Sequence, residues 1–426
     1  MDTNRKTAYF TLHDIEEKKA YSNLALNYHI AAGKPDSPAF VRELVYGVLE
    51  NKIYLDYIIG KFINTPIEKM KISDKTILRM GIYQIGFMDS VPAYAAVNEC
   101  VNLAKRFCRG RDGFINGVLR NYLRRKNDVT LPDPKSDYVK YLTIKYSYAD
   151  WIVRMWLENY KPDFVEELLG AGNQTPDLII LPNKLKTSKE DLMRRLKAKG
   201  YEVSNGYLAK DALHVKGHDL LGGKLFNCGM FSVLDESSMM VVAMLDPQPG
   251  ELIMDVCAAP GGKTIYIAEL MQNKGQIIAG DVYDKRLKLV AREAERIGTD
   301  IIVTRVWDAS ETDESMLEKA DRVLVDAPCS GLGVIRRKPE IKYKEYNEDI
   351  KDLSAKQLKI LSSSSKYVNK GGVLVYSTCT IRPDENQKVV AEFLKNNPCF
   401  VKEDSLQLLP NVNKTDGFYI CKMRRN

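Results

Sequence analysis

The sequence predicts a multidomain protein: an all-α N-terminal domain, a small α/β connector and a C-terminal α/β domain of Rossmann-like type. Three observations carry this. Apolar residues recur at helical spacing over residues 1 to about 130, with no strand-like alternation. Residues 126–135 form a polar stretch containing Pro132 and Pro134, which reads as a linker. From about residue 245, short apolar strands alternate with amphipathic helices. A chain of 426 residues also exceeds what one core usually serves. The expected domains are 1–133, 134–225 and 226–426.

In the first domain, Phe40 to Leu49 and Leu78 to Phe87 both carry apolar residues on one helical face. Pro92 suits a helix start, with Val97, Cys100, Val101 and Ala104 on one side. The connector shows helical patches from Trp151 to Leu169 and one short apolar run, Leu178 to Leu181. In the third domain, Leu252–Val256 reads as a buried strand followed by a Gly-rich turn and a helix. Gln276–Asp281 is the next strand. The helix after it places Leu287, Val290, Ala291, Ala294 and Ile297 on one side, and Gly298 ends it. Arg322–Asp326 and Gly372–Ser377 are later strands. Such alternation implies a parallel sheet covered on both faces, with the site at the strand C-terminal ends.

Composition excludes several classes. Hydrophobic residues at 45% and charged residues at 28% fit a globular chain and exclude wholesale disorder. The net charge of +7 permits a polyanionic partner without demanding one. Eight cysteines form no C-x-x-C pair, and the four histidines lie away from the cysteines of interest. The reading is no metal site and a reducing compartment. Met1 to Tyr9 lack a signal-peptide apolar stretch, and no apolar run reaches the roughly 18 residues of a membrane span. The expected location is the cytoplasm.

Three loops carry the chemistry. Cys257-Ala258-Ala259-Pro260-Gly261-Gly262-Lys263-Thr264 lies between a strand and a helix. Small residues there let a ligand approach the backbone, and free amides at the helix start suit a carboxylate. The loop is neither G-x-G-x-x-G nor a Walker loop. Asp281 ends the second strand, where an acid commonly binds ribose hydroxyls, although it equally suits a helix start. Asp308, after Ile301-Ile302-Val303, fits a ligand contact or a cap. The other two loops, Asp326-Ala327-Pro328-Cys329-Ser330-Gly331 and Ser377-Thr378-Cys379-Thr380, each place a cysteine beyond a strand end on the same rim. A single free cysteine is usually a small buried hydrophobe; two on one rim are less ordinary. One use for two thiols is methylation of cytosine at C5. A thiolate adding to C6 makes C5 nucleophilic, and a carboxyl group such as Asp326 assists at N3. The C5 proton then leaves, a step in which a second thiol assists.

These motifs, together with Leu332-Gly333, Tyr376 and the terminal Asp416-Gly417-Phe418-Tyr419, resemble the RsmB (Sun/Fmu) type of bacterial 16S ribosomal RNA cytosine-C5 methyltransferases over nearly the full chain. The helical region, especially Phe40–Leu49 and Phe114–Arg120, resembles a NusB-like RNA-binding domain. The resemblance implies S-adenosylmethionine as cofactor, Cys379 as nucleophile and Cys329 as the residue assisting release. It implies that residues 257–263 hold the methionine moiety, Asp281 binds ribose and Asp308 neighbours adenine. It has Asp326 face the site and Lys263 approach the base. Two departures stand out: Leu234 where the family has Gln, and Leu181-Pro182-Asn183 where it has Arg-Val-Asn. Lys105, Arg106, Arg109, Arg111, Arg120, Arg124, Arg125 and Lys126, with Asp112 the one acid between 105 and 126, form the expected RNA-binding cluster. The expected partner is small-subunit ribosomal RNA, met by a monomer without a membrane or metal. The same chemistry on transfer RNA, or an inactive NusB-like RNA-binding factor, remain the alternatives.

Overall fold

The computed structural model describes residues 2–217, 219–346 and 352–426. Met1, which opens the polar N-terminal stretch, and His218, one of the four histidines, lie outside the described residues. The chain divides into two compact units: Met1–Asn173 with Ile335–Glu345, and Gln174–Val334 with Tyr346–Asn426.

The first unit is helical. Helices α1 (Thr3–Lys18), α2 (Ser22–Gly33), α3 (Pro38–Glu50), α4 (Lys52–Gly60), α5 (Ile72–Phe87), α6 (Ala93–Phe107) and α7 (Asp112–Arg125) surround one apolar core. Local chemistry sets the starts of α3 and α6. The Ser37 hydroxyl accepts the Phe40 N–H at 3.3 Å with Pro38 in the first turn of α3, and Pro92 caps α6. Leu44, Ile77, Leu78, Cys100 and Ala104 are fully buried.

Helices α8 (Tyr138–Tyr146), α9 (Asp150–Asn159) and α10 (Pro162–Ala171) belong to this unit, although residues 134–173 were expected in the connector. Their buried Leu142, Ile152, Trp156 and Leu168 need helical neighbours, and α8 packs on α4. The strap Ile335–Glu345 also belongs here, although it follows the Cys329 motif in sequence. Lys342, fully buried, donates to the carbonyls of Glu50 (2.6 Å) and Tyr146 (3.3 Å) and to Asn173 Oδ1 (2.8 Å). Its ammonium lies 4.6 Å from the Tyr148 ring centre, and burial pulls its pKa down to about 7.

In the second unit, β1 (Leu178–Pro182), β2 (Glu202–Asn205), β3 (Leu213–Lys216) and β4 (Phe231–Val233) form an antiparallel sheet in the order β2-β3-β1-β4. The apolar run at 178–181 is thus a central strand, with α11 (Lys189–Ala198) beside β2. Asn183, fully buried, donates to the carbonyls of Gly229 and Ile297, so this member of the departing Leu181-Pro182-Asn183 stretch is a structural tie.

After α12 (Lys224–Asn227) and α13 (Glu236–Leu245), strands and helices alternate as β5 (Leu252–Asp255), α14 (Gly262–Leu270), β6 (Gln276–Asp281), α15 (Asp284–Ile297), β7 (Ile302–Val306) and β8 (Ala320–Asp326). Then follow α16 (Leu353–Ser365), β9 (Val368–Thr378), α17 (Gln387–Asn396), β10 (Phe400–Leu408) and β11 (Phe418–Arg425). The sheet order is β10-β11-β9-β8-β5-β6-β7. Side chains alternate between faces: Ile253, Leu324 and Val375 join one core, and Met254, Val323 and Leu374 the other. The all-parallel expectation is corrected at one edge, where β11 runs antiparallel to both β9 and β10 because β10 and β11 form a hairpin. On α15, Leu287, Val290, Ala294 and Ile297 are buried, but Ala291 is exposed beside that stripe.

Candidate active site

Strand order brings the two cysteine motifs together. β8 and β9 are parallel neighbours with Asp326 opposite Ser377, so the chain leaves both strands side by side. The sulfurs of Cys329 and Cys379 lie 3.0 Å apart. The hydrogen bond to Cys379, followed by burial, pushes the Cys329 thiol well above the ordinary thiol range. The Gly333 N–H donates to the Cys379 carbonyl (3.0 Å), and the hydroxyls of Ser330 and Thr380 meet at 2.8 Å. Gly333 also lies against the backbone of Gly417, so closely that an added Cβ would fall 1.8 Å from the Gly417 carbonyl oxygen. The terminal Asp416-Gly417-Phe418-Tyr419 motif thus meets the Cys329 motif.

Lys263 and Asp326 form a pair at 2.7 Å, and the Ser377 hydroxyl donates to the other Asp326 oxygen at 2.7 Å. Burial pulls the Lys263 ammonium down, but Asp326 outweighs it and, with a contribution from Cys379, holds its pKa above the ordinary value. The ammonium is 5.2 Å from the Phe418 ring centre. Lys263, Asp326, Cys329 and Cys379 therefore sit together at the C-terminal ends of β5, β8 and β9.

The loop 257–263 turns from β5 into α14 through Gly261, whose φ of 113° is open to glycine. It lines a cavity of about 490 Å³ with Leu234, Asp255 and Asp326. Leu234, the residue that departs from the family pattern, packs on Gly262. Asp255 is almost fully buried and receives the Thr264 hydroxyl at 2.7 Å. Its second oxygen, also buried, has no partner among the described residues. Burial pushes the Cys257 thiol far up, which leaves it unsuited to act as a nucleophile.

Asp281 ends β6, 6% exposed, and makes the contact expected of a helix-start residue. One oxygen accepts the Tyr283 N–H (2.9 Å) at the start of α15; the other pairs with Arg286 (2.9 Å). Arg286 also donates to the Ala259 carbonyl (2.6 Å), joining the two loops. Asp308, exposed between the buried Trp307 and Ala309 after β7, accepts the Ser310 N–H, which holds its carboxyl below the usual range. The set fits S-adenosylmethionine: a helix N-terminus for a carboxylate, small residues for close approach and a strand-end acid for hydroxyls.

Sequence reasoning missed Arg286 and Glu385. Glu385 lies five residues after Thr380, and no local pattern links it to Ser330, 55 positions earlier.

The basic cluster lies on α6, α7 and the turn between them, with Lys105, Arg106, Arg109, Arg111, Arg120, Arg124, Arg125 and Lys126 all exposed. Arg111 pairs with the buried Asp74 (3.2 Å) and stands 4.1 Å from the Phe114 ring centre. Arg125 pairs with Asp128, whereas Arg106, Arg109 and Arg124 make no ion pair among the described residues.

Comparison with known proteins gives the family. A probable ribosomal RNA small subunit methyltransferase B from Bacillus subtilis is 38% identical, over 99% of this chain and 98% of its own. This chain belongs to the ribosomal RNA small subunit methyltransferase B family. A family model for 16S rRNA methyltransferase RsmB/F matches residues 242–424, the NusB family residues 2–124, and the RsmF/B-like ferredoxin-like domain residues 148–219. A member from Photorhabdus laumondii is 31% identical over 92% of this chain and 91% of its own. The crystal structure of PH0851 superposes with a TM-score of 0.85 at 26% identity, covering 100% of this chain and 99% of that one. As a member of this family, the chain is an S-adenosylmethionine-dependent methyltransferase with a NusB-like helical domain.

Proposed function

We propose that this enzyme methylates C5 of a cytosine in small-subunit (16S) ribosomal RNA through a covalent adduct between Cys379 and C6. The observation that supports the chemistry is the 3.0 Å sulfur pair of Cys329 and Cys379, on the rim that also carries the Lys263–Asp326 pair. The ribosomal substrate rests on the names of the family members.

The Cys379 thiolate adds to C6, and the C5–C6 π electrons move to C5. The Lys263–Asp326 pair serves the N3 edge, where the carbonyl-conjugated ring accumulates charge during addition. The bound S-adenosylmethionine supplies an electrophilic methyl group to C5. Residues 257–263 and Asp281 hold it, and Asp308 neighbours its adenine. Cys329 releases its proton to water and, as a thiolate, takes the proton from C5. The C5–H electrons restore the C5–C6 double bond, the C6–S bond breaks and Cys379 leaves as a thiolate.

The cluster from Lys105 to Lys126 serves phosphates of the RNA. We assign the functional modules to 1–133, 134–225 and 226–426, with α8–α10 of the second and the strap 335–345 of the third packed in the helical unit, and the working state to a cytoplasmic monomer. Among the described residues no helix is long and apolar enough to cross a membrane. The direct test is bisulfite sequencing of small-subunit ribosomal RNA from a deletion strain. One cytosine should lose its methyl mark and regain it on complementation with the parent gene but not with Cys379→Ser. An unchanged pattern across that RNA, with loss in transfer RNA, would move the substrate.

A further inference from the structure

The two cysteine loops are held by different anchors. The Cys379 loop is tied by Asn386: the Thr378 hydroxyl donates to Asn386 Oδ1 (2.5 Å), and Asn386 Nδ2 donates to the Thr380 carbonyl (3.0 Å). The Cys329 loop is tied by Glu385, which is fully buried. Glu385 Oε2 accepts the Ser330 N–H at 2.8 Å, one residue past the thiol. The same oxygen accepts Gln357 Nε2 (3.0 Å), and that nitrogen also donates to the Pro328 carbonyl (2.9 Å), one residue before the thiol. Arg382 Nη1 meets Glu385 Oε1 at 3.2 Å and compensates the buried charge.

We infer that Glu385, with Gln357, is a positioning residue for Cys329, acting on release of the methylated base and not on attack by Cys379. The bracket closes on both backbone neighbours of Cys329 and needs a carboxylate, because three donors converge on its two oxygens. A glutamine amide would turn a donor toward a donor or leave one unmet. A proton transfer from C5 demands a fixed sulfur position, whereas the Cys379 loop keeps its Asn386 anchors when Glu385 is changed. This inference rests on the two-thiol reading above.

The experiment uses the full-length enzyme, S-adenosylmethionine and 16S ribosomal RNA transcribed without modification. Denaturing electrophoresis reads the fraction of enzyme held as adduct, and a methyl-transfer assay reads turnover. Glu385→Gln, with Cys329 intact, should accumulate adduct and lower turnover by about ten- to a hundred-fold, the cost of a misplaced reacting group. Gln357→Met, which keeps the volume but drops both donors, should do the same more weakly and decides the matter if Glu385→Gln does not fold. Loss of turnover without adduct would assign the bracket to folding alone and overturn the inference. If Cys329→Ala traps adduct while both bracket variants turn over like the parent, the inference fails and the two-thiol reading stands. If Cys329→Ala traps none, the two-thiol reading fails and the inference falls with it.

Discussion

Arg286 bridges Asp281 and the Ala259 carbonyl, at 2.9 and 2.6 Å, so the acid that ends β6 and the loop 257–263 share one cation. Asp281→Ala removes a charge-assisted acceptor of roughly 1.5–3 kcal/mol. S-adenosylmethionine affinity should fall about ten-fold or more, since roughly 1.4 kcal/mol is ten-fold. Calorimetric titration measures this; an unchanged affinity would reduce Asp281 to its contacts with the Tyr283 N–H and Arg286.

Asp255 predicts a pH dependence of stability. Burial pushes its carboxyl up to about 7, against the hydrogen bond from Thr264 and with the charge of Asp326. An unfolded aspartate titrates near about 4. Between about pH 4 and 7 the native state therefore holds a proton that the unfolded chain has released, and this group's contribution falls as pH rises through that window. Asp255→Asn mimics the protonated form and removes the slope. The variant should gain on the parent from about pH 4 to 7, by at most on the order of 3–4 kcal/mol, then hold level. Denaturant midpoints across pH measure it; parallel curves would place a charged Asp255 in the folded protein.

RNA binding should respond to Arg106, Arg109 and Arg124. Changing all three to alanine should weaken binding across RNA sequences and reduce the salt slope by just under one for each phosphate no longer neutralised. Arg111 is left in place because its pair with the buried Asp74 would be broken. Affinity for S-adenosylmethionine should not move. Filter binding over a salt series checks this, and equal slopes for parent and variant would return the cluster to a solvated helical face.

The parts of the fold visible in the sequence were those with a local signature. β5, β6, β8 and β9 are short apolar runs, buried because helices cover both faces, and β5, β8 and β9 end in loops with small or reactive residues. β10 was missed because it is an edge strand whose residues from Val401 to Ser405 are exposed and mostly polar. The strap at 335–345 carries no local sign of its helical surroundings: Lys342 meets Glu50, 292 positions away. The two cysteines stood out by motif. Their 3.0 Å separation depends on β8 lying beside β9, which only the sheet order gives. Glu385 was illegible for the same reason, since its partner Ser330 lies 55 positions earlier.

In the proposed mechanism Cys379 attacks and Cys329 releases. The measurement is denaturing electrophoresis of enzyme mixed with unmodified 16S ribosomal RNA and S-adenosylmethionine, comparing Cys329→Ala with Cys379→Ser. Cys329→Ala should give a slow-migrating enzyme–RNA adduct, because addition proceeds and release stalls, while Cys379→Ser should give neither adduct nor methyl transfer. An adduct formed by Cys379→Ser, or its near-normal turnover, would contradict the account.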